Sequence, residues 1–99
     1  TMMSESAYQM VLNAINAFVK QDLKLAKQVI EDDDIVDNQF NDVMASVTEQ
    51  IKNDSIDSQY AVSVIMVAKY MERIADHAVN LAEWTIFMIT GEHKKTPLF

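Results

Sequence analysis

The sequence predicts an all-α fold, an antiparallel up-down-up three-helix bundle in which the second and third helices are long. Three observations predict it. Glycine and proline occur once each in 99 residues, so the chain lacks the turn residues that strands need. Apolar residues recur at helical spacing along most of the chain. One clear loop, Asn53-Asp54-Ser55-Ile56-Asp57, separates two long periodic stretches, and a short loop makes long helices antiparallel neighbours.

The first helix is expected to start at Ser4 or Ser6 as cap, with Glu5 in its first turn. Tyr8, Val11, Leu12, Ile15 and Phe18 supply its apolar spacing. The polar cluster Lys20-Gln21-Asp22 interrupts it, as a boundary or as a kink. Asp22 is a fair N-cap for the second helix, which runs to about Lys52. Leu25, Val29, Val36, Phe40, Val43, Val47 and Ile51 form its stripe. Four adjacent acids, Glu31-Asp32-Asp33-Asp34, would ordinarily mark a solvated face or a loop. The stripe continues in phase across them, so they belong to the helix. The third helix runs to about Thr90, where Gly91 suits a left-handed cap and Pro97 rules out continuation. Residues 1–3 and 92–99 are expected to fray.

Composition bounds the function. A chain of 99 residues is one domain, or one half of something larger. Cysteine is absent, which excludes disulfides and thiolate metal sites and is compatible with a reducing cytoplasm. A net charge of −7 disfavours nucleic acid and favours cations or basic surfaces. No apolar run approaches a membrane span, and no signal peptide is visible. Glycine-rich phosphate loops and nucleophile arrangements are missing, so a hydrolase is unsupported. The expectation is a protein that is not an enzyme.

Two segments carry the same acidic pattern. Asp33-Asp34-Ile35-Val36-Asp37-Asn38-Gln39-Phe40-Asn41 and Glu72-Arg73-Ile74-Ala75-Asp76-His77-Ala78-Val79-Asn80 both read acid-x-Ile-small-Asp-x-x-apolar-Asn. Within each, the polar residues are four apart and share one helix face. Glu83 falls back beside the Glu72–Asp76 row. Both motifs lie about 25–30 Å from the loop at ~1.5 Å per residue. Antiparallel pairing therefore brings the rows level. Such a cluster needs protonation, cationic neighbours or a metal. Carboxylate and amide oxygens suit hard cations such as Mg, Ca, Mn or Fe. The candidate ligands are Asp33, Asp37, Glu72, Asp76, Asn80 and Glu83. The competing reading is a solvated acidic edge held only by helix pairing. His77 points to the outer face, and its acidic surroundings argue against phosphotransfer. Trp84 and Phe87 read as packing aromatics, and the seven methionines as core filler. A further row, Val67, Ile74, Leu81 and Met88, is spaced by seven. It reads either as a wide core stripe or as an interface with a second copy or a partner bundle.

The segment from Lys69 to Trp84, with Glu72-Arg73-Ile74-Ala75-Asp76-His77 its most specific part, followed by Ile89-Thr90-Gly91-Glu92, closely resembles the PhoU family, regulators of bacterial phosphate uptake. Ala17-Phe18-Val19-Lys20-Gln21-Asp22 and the aspartates Asp33 and Asp37 resemble the same family. The resemblance covers nearly the whole chain. It implies one three-helix repeat of a two-repeat architecture, with the pattern of the C-terminal repeat, so that the chain is expected to be a fragment. It implies an acid-x-x-x-Asp metal motif on two helices at Asp33/Asp37 and Glu72/Asp76, holding divalent or trivalent ions (iron, or Zn, Ni, Mg or Mn), with multinuclear sites among the options. It implies a cytoplasmic regulator of phosphate-starvation signalling that contacts a phosphate ABC transporter ATPase and a sensor histidine kinase, and associates as a homodimer or with a second repeat. The alternatives are a plain helical dimerisation module or a metal-storage bundle. The absence of any Glu-x-x-His pair disfavours ferritin-type oxidase chemistry.

Overall fold

A computed structural model describes residues 2–91, and they form three helices: α1 (Met2–Lys20), α2 (Leu23–Lys52) and α3 (Ser58–Thr90). Among the described residues there is no strand. Each helix packs on both others, in an elongated body of 53 × 24 × 17 Å. This is the antiparallel three-helix bundle that the sequence predicts. The expected fraying of residues 92–99 lies outside the described residues.

Both turns use the same device, and neither uses glycine. Gln21 (φ 54°) and Asp54 (φ 55°) adopt the left-handed conformation. The Asp22 N–H then donates to the Ala17 carbonyl at 2.9 Å, and the Gln21 N–H to that of Phe18 at 3.4 Å. At the second turn the Ser55 N–H donates to Gln50 at 2.9 Å, and the Asp54 N–H to Ile51 at 3.1 Å. Each pair closes the end of a helix by satisfying carbonyls that lack an intrahelical partner. The Lys20–Asp22 interruption is therefore a true helix boundary, not a kink. Asp22 then caps α2, accepting from the Leu25 N–H at 3.0 Å, and Asp57 caps α3, accepting from Tyr60 at 3.3 Å. Replacing either aspartate by alanine is expected to lower stability by ~1 kcal/mol, as read by urea unfolding. Gly91 (φ 73°) ends α3, and its N–H donates to the Phe87 carbonyl at 2.7 Å.

The start of α1 differs from expectation. The helix begins at Met2, so Ser4 and Ser6 lie inside it, and Met3 is buried rather than frayed. The core face of α1 differs as well. Met3, Ala7, Met10, Ala14 and Ala17 point inward, while Tyr8, Leu12, Ile15 and Phe18 are exposed and Val11 is half-buried. Alanines dominate the centre of the bundle: Ala26 on α2 and Ala61, Ala68, Ala75, Ala78 and Ala82 on α3 are all buried. Small side chains let the helix axes approach closely, and the larger Met10, Val29 and Val36 fill the remaining space. The predicted α2 stripe faces the core from Leu25 to Val47, whereas Ile51 is exposed near the turn.

The helices differ in length, 19 residues in α1 against 30 and 33 in α2 and α3. The α2–α3 hairpin therefore extends past the first turn of α1. There it leaves an apolar groove of about 520 Å³, lined by Met2, Met3, Val43, Tyr60, Val64 and Val67 among others.

Candidate functional site

The acidic run Glu31–Asp34 is helical, as its phase requires, because α2 is unbroken from Leu23 to Lys52. Its members take different environments: Glu31 and Asp34 are exposed, Asp32 and Asp33 half-buried. Gln28 donates to Asp32 at 2.9 Å, one turn away, which secures the outer side of the run. Asp33 and Asp37 turn toward α3. There Glu72 is half-buried and Asp76 exposed.

Asp33 and Asp37 both feel the α3 acids Glu72 and Asp76. Burial, then the charges of Asp37, Asp76, Asp34 and Glu72, push the Asp33 carboxyl up from 3.8 to about 6. Burial and the charges of Glu72, Asp76 and Asp34 likewise raise Asp37 above the usual carboxylate range. Of the α3 acids, Asp76 acts more strongly on Asp33, and Glu72 more strongly on Asp37. The Lys69 ammonium lies 5.5 Å from the centroid of the Phe40 ring. The facing pairs 33 with 76, 37 with 72 and 40 with 69 all add to 109, a single antiparallel register. The two acid rows are thus level, as the position of the loop predicts.

The same register separates the remaining candidates. Asn80 comes level with Val29 and Asn41 with Ala68, each about one turn beyond the carboxylates and at opposite ends. Asn80 is exposed. Glu83 comes level with Ala26, about two turns past Asp76, and does not figure among the charges that raise Asp33 or Asp37. The two amides expected to join the carboxylates therefore stand apart from them. Antiparallel pairing reverses one row against the other, so the two terminal asparagines cannot meet.

Charge compensation among the described residues is slight. Lys69 Nζ pairs with Glu72 Oε1 at 2.9 Å and rests on Phe40, tying α3 to α2. The stacking of Lys69 on Phe40 depends on the helix register. Asp33 Oδ1 is buried with no hydrogen-bond partner, and so is Gln39 Oε1, two turns along α2. An orphaned carboxylate oxygen is costly, and a bound cation or a proton would relieve it. The oxygen donors have the chemistry that a hard cation takes. Among the described residues, however, no group of three or more His, Cys, Asp or Glu side chains is placed to hold a metal ion. His77 is exposed on the outer side of α3.

The row spaced by seven does not make one continuous exposed seam. Val67 and Met88 are exposed, Ile74 is half-buried, and Leu81 packs against the buried cluster. A seven-residue repeat drifts by about 20° per heptad on a straight helix, so the row winds around α3 relative to its neighbours. Val67 ends up in the groove beyond the start of α1.

Comparison with known proteins bears on most of the chain. The PhoU domain matches residues 1–85. The chain is 37% identical over 90 residues to the phosphate-specific transport system accessory protein PhoU homolog 1 of Methanothermobacter thermautotrophicus, covering 91% of this chain and 41% of that protein. It is 34% identical over 90 residues to the protein of the same name from Thermotoga maritima, covering 91% and 39%. It is also 34% identical over 90 residues to the PhoU homolog of Zymomonas mobilis, covering 91% and 38%. The chain spans about two fifths of the length of these curated relatives. No solved structure matches it. A domain match over most of the chain, together with the paired acidic motifs on two adjacent helices, places this chain in the PhoU family.

Proposed function

We propose that this chain is a three-helix unit of a regulator of phosphate uptake and phosphate-starvation signalling, acting without catalysis. It would work at the cytoplasmic face by contacts with a phosphate ABC transporter ATPase and a sensor histidine kinase. The observation that carries the reading is the family match together with relatives named as accessory proteins of a phosphate-specific transport system. Two further observations agree with a docking role. The chain is acidic, with a net charge of −7, which favours a basic partner surface. Among the described residues no helix is long and apolar enough to cross a membrane, so contact with a transporter would go through its exposed domains. The unit would associate with a second copy of itself or with a second repeat. A pull-down of the transporter ATPase and the sensor kinase tests this reading, and binding to neither overturns it.

The reading includes a carboxylate metal site. Asp33, Asp37, Glu72 and Asp76 would hold the ion, iron or another divalent or trivalent metal, with Asn80 and Glu83 flanking. Its support is the elevation of both Asp33 and Asp37 by burial and neighbouring acids, and the orphaned Asp33 Oδ1. A bound cation would supply to Asp33 and Asp37 the compensating charge that Lys69 provides to Glu72. Titration calorimetry with Mn, Fe and Zn salts is expected to give saturable binding to the unaltered chain and none to Asp37→Ala/Asp76→Ala. Equal heats from both proteins would remove the metal site and leave the regulatory reading standing.

A further inference from the structure

Lys69 stands on α3 beside the acid rows, with its Nζ 2.9 Å from Glu72 Oε1. On an open helix surface such a neighbouring pair is worth little. Two features set this one apart. The ammonium also sits over the Phe40 ring of α2, 5.5 Å from its centroid, so it is held from across the bundle. Its partner is turned inward as well: the Glu72 side chain is 19% exposed, against 57% for Lys69.

Glu72 is also the acid whose charge acts most strongly on Asp37 across the helix pair. The group that Lys69 holds is therefore the group that the α2 acids face. Lys69 compensates Glu72 and leaves Asp33 Oδ1 buried without a partner. No other ion pair among the described residues reaches these acids. The rows are level, yet among the described residues no three such side chains are placed to hold an ion. An oxygen of Glu72 engaged by an ammonium is one donor fewer for a hard cation.

Two cations drawn to one carboxylate repel each other. A free lysine avoids this by swinging into solvent, but Phe40 holds the Lys69 ammonium over α2. Arg73 is the contrast. It follows Glu72 directly and carries the same charge, but it is exposed, and no ion pair among the described residues engages it. Its charge is screened by solvent, whereas that of Lys69 is spent on Glu72.

We propose that Lys69, seated on Phe40, is a built-in competitor that contests Glu72 with a metal ion and so sets how tightly the carboxylate site binds. This rests on the metal site proposed above and names the residue that limits its affinity. The test is titration calorimetry with manganese(II) chloride on the unaltered chain, Lys69→Met, Lys69→Arg and Arg73→Met. Methionine at position 69 removes the charge and the pairing, and arginine keeps both. Arg73→Met removes an equal charge from a neighbour that holds no acid. The expected dissociation constant of Lys69→Met is about three- to tenfold lower than that of the unaltered chain, the worth of a half-exposed ion pair with a cation–π contact. Lys69→Arg and Arg73→Met are expected to stay within about twofold of the unaltered chain. Helical circular dichroism checks that each variant folds; should Lys69→Met lose helicity, Lys69→Gln is read in its place. Binding by Lys69→Met no tighter than that of the unaltered chain overturns the competition and leaves the metal site standing. An equal tightening by Lys69→Arg or Arg73→Met does the same, since the effect would then not belong to the hold on Glu72. Manganese bound by neither the unaltered chain nor Lys69→Met removes the metal site itself, and the competition with it.

Discussion

Replacing Met10 by alanine is expected to cost about 2–5 kcal/mol, while replacing Tyr8 by alanine, two positions away, changes stability by less than ~0.5 kcal/mol. Met10 is only 2% exposed and belongs to the buried cluster of all three helices. Its removal takes away the transfer free energy of the thioether chain and leaves a space that the surrounding alanines cannot fill, because they have no side-chain length to spare. Tyr8 faces away from that cluster. The comparison is made by urea unfolding at a concentration low enough to keep the chain monomeric, so that contacts between copies do not enter. A loss at Tyr8 as large as that at Met10 would mean that α1 is rotated from the orientation described. For a domain whose total stability is of the order of 5–15 kcal/mol, the Met10 substitution takes a large share of the margin.

Acidification is expected to stabilise the fold, and Asp33→Asn is expected to remove most of that effect. The Asp33 carboxyl is raised from 3.8 to about 6 by burial and by four neighbouring acids. The folded chain therefore holds a proton more tightly than the unfolded chain. Stability falls as the pH rises through the window from about 4 to 6, and is recovered as the pH falls back through it. Asp37, raised by burial and the same neighbours, adds to the trend with the same sign. A shift of this size corresponds to about 3 kcal/mol if unscreened, and to ~1 kcal/mol after discounting for the solvent that reaches a half-buried group. Asp33→Asn removes the charge at every pH and supplies N–H donors to the neighbouring carboxylates. It should raise the urea midpoint at neutral pH and flatten the profile between about pH 4 and 6. A variant whose midpoint at neutral pH is lower than that of the unaltered chain would contradict the electrostatic account of this cluster.

The fold was largely legible because the signals agreed. The scarcity of glycine and proline and the loop at residues 53–57 each have one reading, whereas the break at Lys20–Asp22 had two, a boundary or a kink. The level of the acid rows was legible too, since distance from a turn translates directly into height along a helix. The face of α1 was not. Large apolar side chains at Tyr8, Leu12, Ile15 and Phe18 dominate a pattern search, but the core selects the smaller Ala7, Ala14 and Ala17 because three close-packed axes leave little room. With two apolar faces on one helix, periodicity alone does not say which is inside. The reversal of one acid row against the other, which parts Asn41 from Asn80, was likewise implicit in antiparallel pairing but needed the register to become specific. Lys69 stacking on Phe40 and the orphaned Gln39 Oε1 depend on side-chain placement across helices, which no local pattern encodes.

The constant pairing of α2 with α3 links the lengths of the two arms of the hairpin. Between the carboxylates and the turn lie the stretch after Asp37 on one arm and the stretch before Glu72 on the other, and each sets the height of its own row. A residue gained or lost in one arm alone slides one row past the other and rotates it by about 100°, carrying its acids off the shared face. A residue gained in the loop does neither, because it lies outside both helices. Lengthening the hairpin while keeping its carboxylates together thus requires whole turns added to both arms at once. The two arms can change only as a matched pair, whereas the turn between them is free to vary.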